Sequence, residues 1–203
     1  MREISTIGYF GGTFDPPHLG HEILAREAFY QLSLDAVIWL ITPDPPHKIN
    51  REITPVQSRL DMLKIVTDRY DEFSISEVDL QRSPPYYAAD TVEIIKKQQS
   101  ETEIVFIIGE DSLQDLPGWY QPERLLTTID QLAVVPRPGF KSDLAALDVI
   151  LPGLKEKTVF LSEILVEISS SLIRERIKEG ALYNHFLFQG VAEYIESNHL
   201  YGK

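Results

Sequence analysis

Apolar residues recur along the chain in two alternating patterns. Short runs rich in β-branched and aromatic residues occur at 5–10, 36–41 (AVIWLI), 104–108 (IVFII) and 132–135, with weaker ones at 73–75 and 158–161. Between them, 19–32, 56–67 and 89–98 carry helical spacing; in the first, Leu19, Ile23, Phe29 and Leu32 roughly share one face. A strand buried on both sides loses its polar alternation, so continuous apolar runs separated by helices predict a parallel sheet covered on both faces. The expected fold class is therefore α/β, a doubly wound, Rossmann-like parallel sheet. The pattern changes near the C-terminus, where 171–178 and 191–197 read as helices with no strand between them, and Gly180 falls at a helix C-cap. The intervening 136–157, with three prolines and two glycines, reads as a linker. One domain over 1–203 is expected, with a Rossmann-like core over about 1–140 and a small helical C-terminal part over about 165–203.

Composition narrows the chemistry. With 203 residues, 43% of them hydrophobic, the chain can bury a sizeable core. Its net charge of −12 argues against a protein that coats nucleic acid, so no nucleic-acid polymer is expected as a partner. A small anionic ligand stays open, because local donors can oppose the global charge. The absence of cysteine excludes disulfides, thiolate metal sites and cysteine nucleophiles. The opening MREISTIGYF has no apolar stretch long enough for a signal peptide or a membrane span, which predicts a cytoplasmic protein without a membrane partner.

The segment YFGGTFDPPHLGH, residues 9–21, lies where the first strand gives way to the first helix. In an open parallel sheet, ligands gather beyond the carboxyl ends of the strands, beside the first one. Gly11 and Gly12 lack Cβ atoms, which predicts a sharp turn and a close approach by ligand. Asp15 is expected to cap the coming helix, and Pro16 or Pro17 suits its start. His18 and His21, three apart, then share one face of the first turn, beside free amides that favour an anion. An ordinary turn uses the same glycines and prolines, and two histidines could also serve zinc, though no third ligand is evident. The pattern is neither a Walker loop nor G-x-G-x-x-G.

GGTFDPPHLGH resembles the H-x-G-H signature of the nucleotidyltransferase superfamily. PDPPHK (43–48), SRLDML (58–63), PPYYAADT (84–91), IIGEDSLQDLPGW (107–119), VPRPG (135–139) and ISSSLIRERI (168–177) follow in order, as in the family of bacterial nicotinic acid mononucleotide (NaMN) adenylyltransferases. With the C-terminal FLFQGVAEYI they span nearly the whole chain. The resemblance implies transfer of AMP from ATP to the 5′-phosphate of NaMN, giving deamido-NAD and pyrophosphate.

It also implies roles for individual residues. His18 and His21 would donate to ATP phosphate oxygens, while Gly11, Gly12 and Thr13 hold the phosphates and Phe14 lies on the ATP side. Lys48 would bring a point charge over the phosphates and reach the mononucleotide. Ser170 and Arg174, near the start of the SSSLIR helix, would clamp the β- and γ-phosphates. Gly109 and Asp111 look like the adenosine-side turn, with Asp111 near the ribose or the metal; a simple helix cap is the other reading of Asp111. Mg²⁺ is expected on the triphosphate, held mostly by phosphates and water, with no metal site built from protein alone. EVDL (77–80) reads as structural.

On the acceptor side, Trp119 looks like the aromatic that stacks on the pyridine ring, and its flanks Leu116, Pro117 and Gly118 predict a loop. Tyr87, Asp90 and Thr91 fall in the segment that lines the nicotinate pocket, and Arg137 is placed beside the mononucleotide. The chain departs from the family's P-S-Y-T-x-D-T at Tyr86 and Ala88, where serine and threonine are common, so any hydroxyl contact there is lost. Nicotinamide mononucleotide or a phosphopantetheine is the alternative acceptor. A non-catalytic nucleotide-binding regulator is the alternative class, against which the intact HLGH, Lys48 and SSSLIR set argues. Oligomeric state stays open, a homo-oligomer included.

Overall fold

A computed structural model describes residues 5–44, 53–162 and 166–202. Its strands are β1 (Thr6–Gly12), β2 (Ala36–Ile41), β3 (Phe73–Ser76), β4 (Glu103–Gly109), β5 (Gln131–Val135) and β6 (Thr158–Phe160). They form one sheet in the order β3-β2-β1-β4-β5-β6, and every pairing is parallel. The chain winds outward from β1 in one direction and from β4 in the other, so the topological switch lies between these two strands.

Helices cover both faces. The first half contributes α1 (Leu19–Gln31), α2 (Val56–Thr67) and α3 (Ala88–Gln98). After β4 come α4 (Glu110–Asp115) and α5 (Pro122–Thr128), then α6 (Leu144–Ile150) and α7 (Leu154–Lys157), and finally α8 (Ser170–Glu179) and α9 (Gln189–Ser197). Side chains alternate across each strand, so neighbours in sequence serve different cores. Phe10, Trp39 and Ile107 pack on one face with Met62 and Val66 of α2, whereas Tyr9, Leu40 and Ile108 pack on the other with Val92 and Leu125.

The doubly wound parallel sheet agrees with the sequence pattern, and three details differ. First, β1 runs on to Gly12, which lies opposite Ile41, so Gly11 and Gly12 end the strand instead of making the turn. The left-handed residue is Phe14, with φ 50°, and its ring fills the space a side chain at Gly12 would need: a Cβ there would come within 2.7 Å of it. Second, the 136–157 stretch read as a linker contains α6 and α7, and the weak strand expected at 158–161 forms as β6, which carries the sheet past the core's expected limit near 140. Third, Ile173 of α8 and Val191 and Ile195 of α9 belong to the same buried cluster as Phe10 and Trp39. The C-terminal helices therefore complete the core on that face. Helix α8 begins as its sequence directs: the Ser169 hydroxyl accepts from the Leu172 amide (3.2 Å), and Gly180 ends it at φ 69°.

Candidate active site

A cleft of about 700 Å³ opens at the switch between β1 and β4. Its floor comes from Phe10–Gly12 and from Phe106, Ile108 and Gly109 at the carboxyl ends of these strands. Thr13, His18 and His21 form one wall, Ser169–Ser171 and Arg174 of α8 another, and Asp111, Gly118, Trp119 and Arg137 a third. Two well-formed helices, α1 and α8, thus begin at the cleft, and their first amides favour an anion there.

The histidines are built into the start of α1. His18 is the N-cap residue, in extended conformation, which corrects the expectation that Asp15 caps this helix. Its ring stacks on that of His21, with centroids 3.7 Å apart and planes inclined by 24°. The His18 amide donates to His21 Nδ1 at 3.2 Å, so the proton of a neutral His21 ring sits on Nε2. The Phe14 ring meets His21 edge-on at 5.1 Å, fixing it from the other side. Gly20, the glycine of HLGH, leaves room for this pair, because a Cβ there would stand 3.0 Å from His18 Nδ1. His18 is buried, and its Nδ1 has no hydrogen-bond partner. Burial, reinforced by the nearby Arg137 cation, pulls its pKa down to about 3, so the ring is neutral at pH 7.

Asp15 anchors the turn instead of capping it. Its buried carboxylate accepts from the Tyr201 hydroxyl (2.8 Å), 186 residues away. Burial and the Asp15 charge push the Tyr201 phenol far up, so it stays a donor. Arg174 donates to the Asp15 carbonyl and, at 3.1 Å, to the Ser171 hydroxyl, and its guanidinium lies 3.9 Å from the Asp15 carboxylate. The Ser170 hydroxyl donates to the Pro16 carbonyl at 2.9 Å, so its proton ties α8 to the β1–α1 turn. Arg59 of α2, on which sequence reasoning placed no role, is almost wholly buried and donates to four backbone carbonyls around the same turn. Its signal was present in the sequence: it is a charge at the spacing of Leu60, Met62, Leu63 and Val66, on the stripe that faces the core.

Gly109 is the N-cap of α4, so Asp111 is not the cap of that helix. Asp111 Oδ1 lies 3.3 Å from Arg137 Nε but makes no hydrogen bond. Glu110, buried behind it, accepts from the amides of Arg137 (3.4 Å) and Ser142 (2.8 Å) and so holds the loop that carries Arg137.

The acceptor-side expectations divide. Trp119 follows a short 3₁₀ turn, Leu116–Gly118, and reaches the cleft. Tyr87, Asp90 and Thr91 lie off its wall. Tyr87 stacks on Tyr120 (4.1 Å, 20°), Asp90 pairs with Arg124, and the buried Thr91 hydroxyl donates to Asp79. Ala88 is the residue of 84–91 that faces the cleft. Asp79, from the EVDL run, also accepts from Arg82 at 2.7 Å, the structural use expected of that run. Lys48 lies outside the described residues. Among the described residues, no group of three or more His, Asp or Glu side chains could hold a metal ion, and no helix is long and apolar enough to cross a membrane.

The cytidylyltransferase-like family pattern matches residues 9–176, which contain all three walls of this cleft. The chain belongs to that family. Among its relatives, a probable nicotinate-nucleotide adenylyltransferase of Thermomicrobium roseum is 39% identical over 198 residues, covering 98% of this chain and 92% of that protein. One of the same name from Bacillus cereus is 41% identical, covering 96% and 97%. Among solved structures, Plasmodium falciparum nicotinic acid mononucleotide adenylyltransferase complexed with NaAD shares the fold, with a TM-score of 0.77, 19% identity and 97% of each chain covered. The family resemblance read from the ordered motifs is borne out, and the chain is a nucleotidyltransferase.

Proposed function

We propose that this chain transfers the adenylyl group of ATP to the 5′-phosphate of nicotinate mononucleotide, giving deamido-NAD and pyrophosphate in NAD biosynthesis. The observation that carries the reading is the stacked His18–His21 pair at the start of α1, set beside the α8 N-terminus at the sheet's switch point. A mononucleotide phosphate oxygen forms a bond to the α-phosphorus of ATP, while the bond to the α,β-bridging oxygen breaks and its electron pair leaves with pyrophosphate. The attacking phosphate oxygen is already anionic and the bridging oxygen leaves as part of a stable pyrophosphate anion, so the reaction needs no strong base, only positioning and stabilisation of the charge that builds on the leaving oxygen.

His21 donates through Nε2–H and His18 through the one N–H of its neutral ring, toward the phosphates. The amides at the start of α8, with Arg174, hold the β- and γ-phosphates, while the Ser170 hydroxyl keeps that helix end against the β1–α1 turn. Gly11, Gly12, Thr13 and Phe14 shape the phosphate turn, Gly109 the adenosine side, and Lys48 and Arg137 supply charge toward the mononucleotide. When bound on the triphosphate, a divalent cation such as Mg²⁺ would supply further charge neutralisation, and the Asp111 carboxylate, whose Oδ1 is ion-paired with Arg137 but accepts no hydrogen bond, would fit such a neighbour. Trp119 stacks on the pyridine ring. Tyr87, Asp90 and Thr91, with their side chains engaged behind the wall, frame the acceptor loop. Both substrates are small soluble molecules, consistent with a cytoplasmic location.

Pyrophosphate release, measured with ATP and each candidate acceptor, tests the reading. A carboxylate only accepts hydrogen bonds, whereas an amide also donates, so a pocket of backbone amides mispairs with nicotinamide. The expected kcat/KM for nicotinate mononucleotide is at least about tenfold higher than for nicotinamide mononucleotide. Equal efficiency would make the enzyme dual-specific, and no release with any acceptor would make the chain a nucleotide-binding regulator.

A further inference from the structure

Arg59 is a nearly inaccessible cation whose hydrogen bonds all go to backbone carbonyls from three separate segments. Nη1 donates to Thr13 (2.8 Å) in the β1–α1 turn and to Thr42 (2.9 Å) just past β2. Nη2 donates to Pro43 (2.5 Å), and Nε to Thr54 (2.8 Å) just ahead of α2. Thr13 and Thr42 are themselves part of the cleft wall, although Arg59 is not. Only a planar guanidinium, with N–H groups fanned in a fixed fork, spans three chain segments in this way.

We infer that Arg59 is a positioning residue for nucleotide binding, which acts through the rim carbonyls it holds. The inference rests on the reading of the cleft as the ATP site. Its effect has two parts. The fork fixes the β1–α1 turn against the end of β2, and so sets where Thr13 and the following turn stand. It also holds the carbonyls of Thr42 and Pro43 just past β2, so the Thr42 part of the cleft wall is fixed by the same fork. The Arg59 cation beneath the turn also offsets the buried Asp15 carboxylate, whose charge would otherwise repel a polyphosphate.

The test measures ATP affinity by calorimetry and both KM values for Arg59→Met and Arg59→Lys, alongside Met62→Ala from the same buried stripe as a stability control. Arg59→Met is expected to weaken ATP binding about tenfold or more, while the acceptor KM stays within about twofold, as for a loss of positioning on one side of a site. Arg59→Lys, which keeps the charge but loses the fork, should fold and fall between wild type and Arg59→Met. It also serves as the decisive variant if Arg59→Met does not fold. Met62→Ala should lower Tm and leave ATP affinity unchanged. Wild-type ATP affinity in the Arg59 variants, or a loss no larger than that of Met62→Ala, overturns the inference, as does an equal rise in both KM values. Failure of the wild type itself to bind ATP would instead overturn the ATP-site reading, and the inference with it.

Discussion

The two sides of the cleft are built differently. On the nucleotide side, distant parts of the chain are tied to one turn: Tyr201 and Arg174 to Asp15, Ser170 to Pro16, and Arg59 to Thr13. On the acceptor side, the side-chain contacts of Tyr87, Asp90 and Thr91 lie behind the wall, and the cleft meets Ala88, Gly118 and Trp119. On the proposed assignment of the two sides, the difference follows from what each has to recognise. A polyphosphate is stabilised by donors already fixed in place, because each donor that had to be ordered on binding would cost conformational entropy. A flat ring is held by a flat apolar face and a few backbone groups, which a loop can supply.

The strongest test of this contrast removes a donor from the fixed side. His21→Ala should lower kcat by roughly 10²–10⁴, the scale for a lost positioned group. Because His21 Nδ1 also accepts the His18 amide, about 1 kcal/mol of stability should go with it. A fall in Tm with kcat near normal would reduce the ring to a structural cap.

A paired comparison comes next. Arg174→Ala should weaken ATP binding by about 1.5–3 kcal/mol, and the mononucleotide much less. Trp119→Ala should do the reverse, raising the acceptor KM by about 0.5–1.5 kcal/mol while ATP affinity holds. If each variant weakens both substrates equally, the division of the cleft into two sides is wrong.

A further effect, on stability alone, is a pH dependence. His18 titrates near 6.5 when unfolded and near 3 when folded, so between these values the unfolded chain binds a proton that the native ring refuses. Stability from this group is complete above pH 6.5 and is lost as pH falls toward 3. From pH 7.5 to 5.5 the loss is about 1.4 kcal/mol, or a few degrees in Tm. His18→Gln should remove that part of the slope. An unchanged slope would mean that the ring takes up a proton in the folded protein.

The sheet was legible in the chain because strands buried on both faces cannot conceal their apolar runs, as in AVIWLI and IVFII. Helices α4 and α5 escaped notice because six or seven residues are too few to display a period. The histidine pair was legible by spacing. Its cap was assigned to Asp15 from residue type alone, and the type cannot reveal that Tyr201, 186 positions later, accounts for that carboxylate. The same limit applied to Thr91 and Asp90, whose partners Asp79 and Arg124 are distant in sequence. Arg59 differs, since a cation on an apolar helical stripe was visible without any structure.

The bond between Tyr201 and Asp15 also sets an order of events during synthesis. At roughly 5–20 residues per second, a chain made from its N-terminus would extend for roughly ten to forty seconds between the appearance of Asp15 and that of Tyr201. β1 precedes Asp15, and the residues of β2 through β6 all emerge in that interval. The ribosome can therefore release a nearly complete sheet while the turn meant for the nucleotide still has a bare carboxylate. On this timetable the β1–α1 turn is fixed late, when the segment around Tyr201 swings back to it.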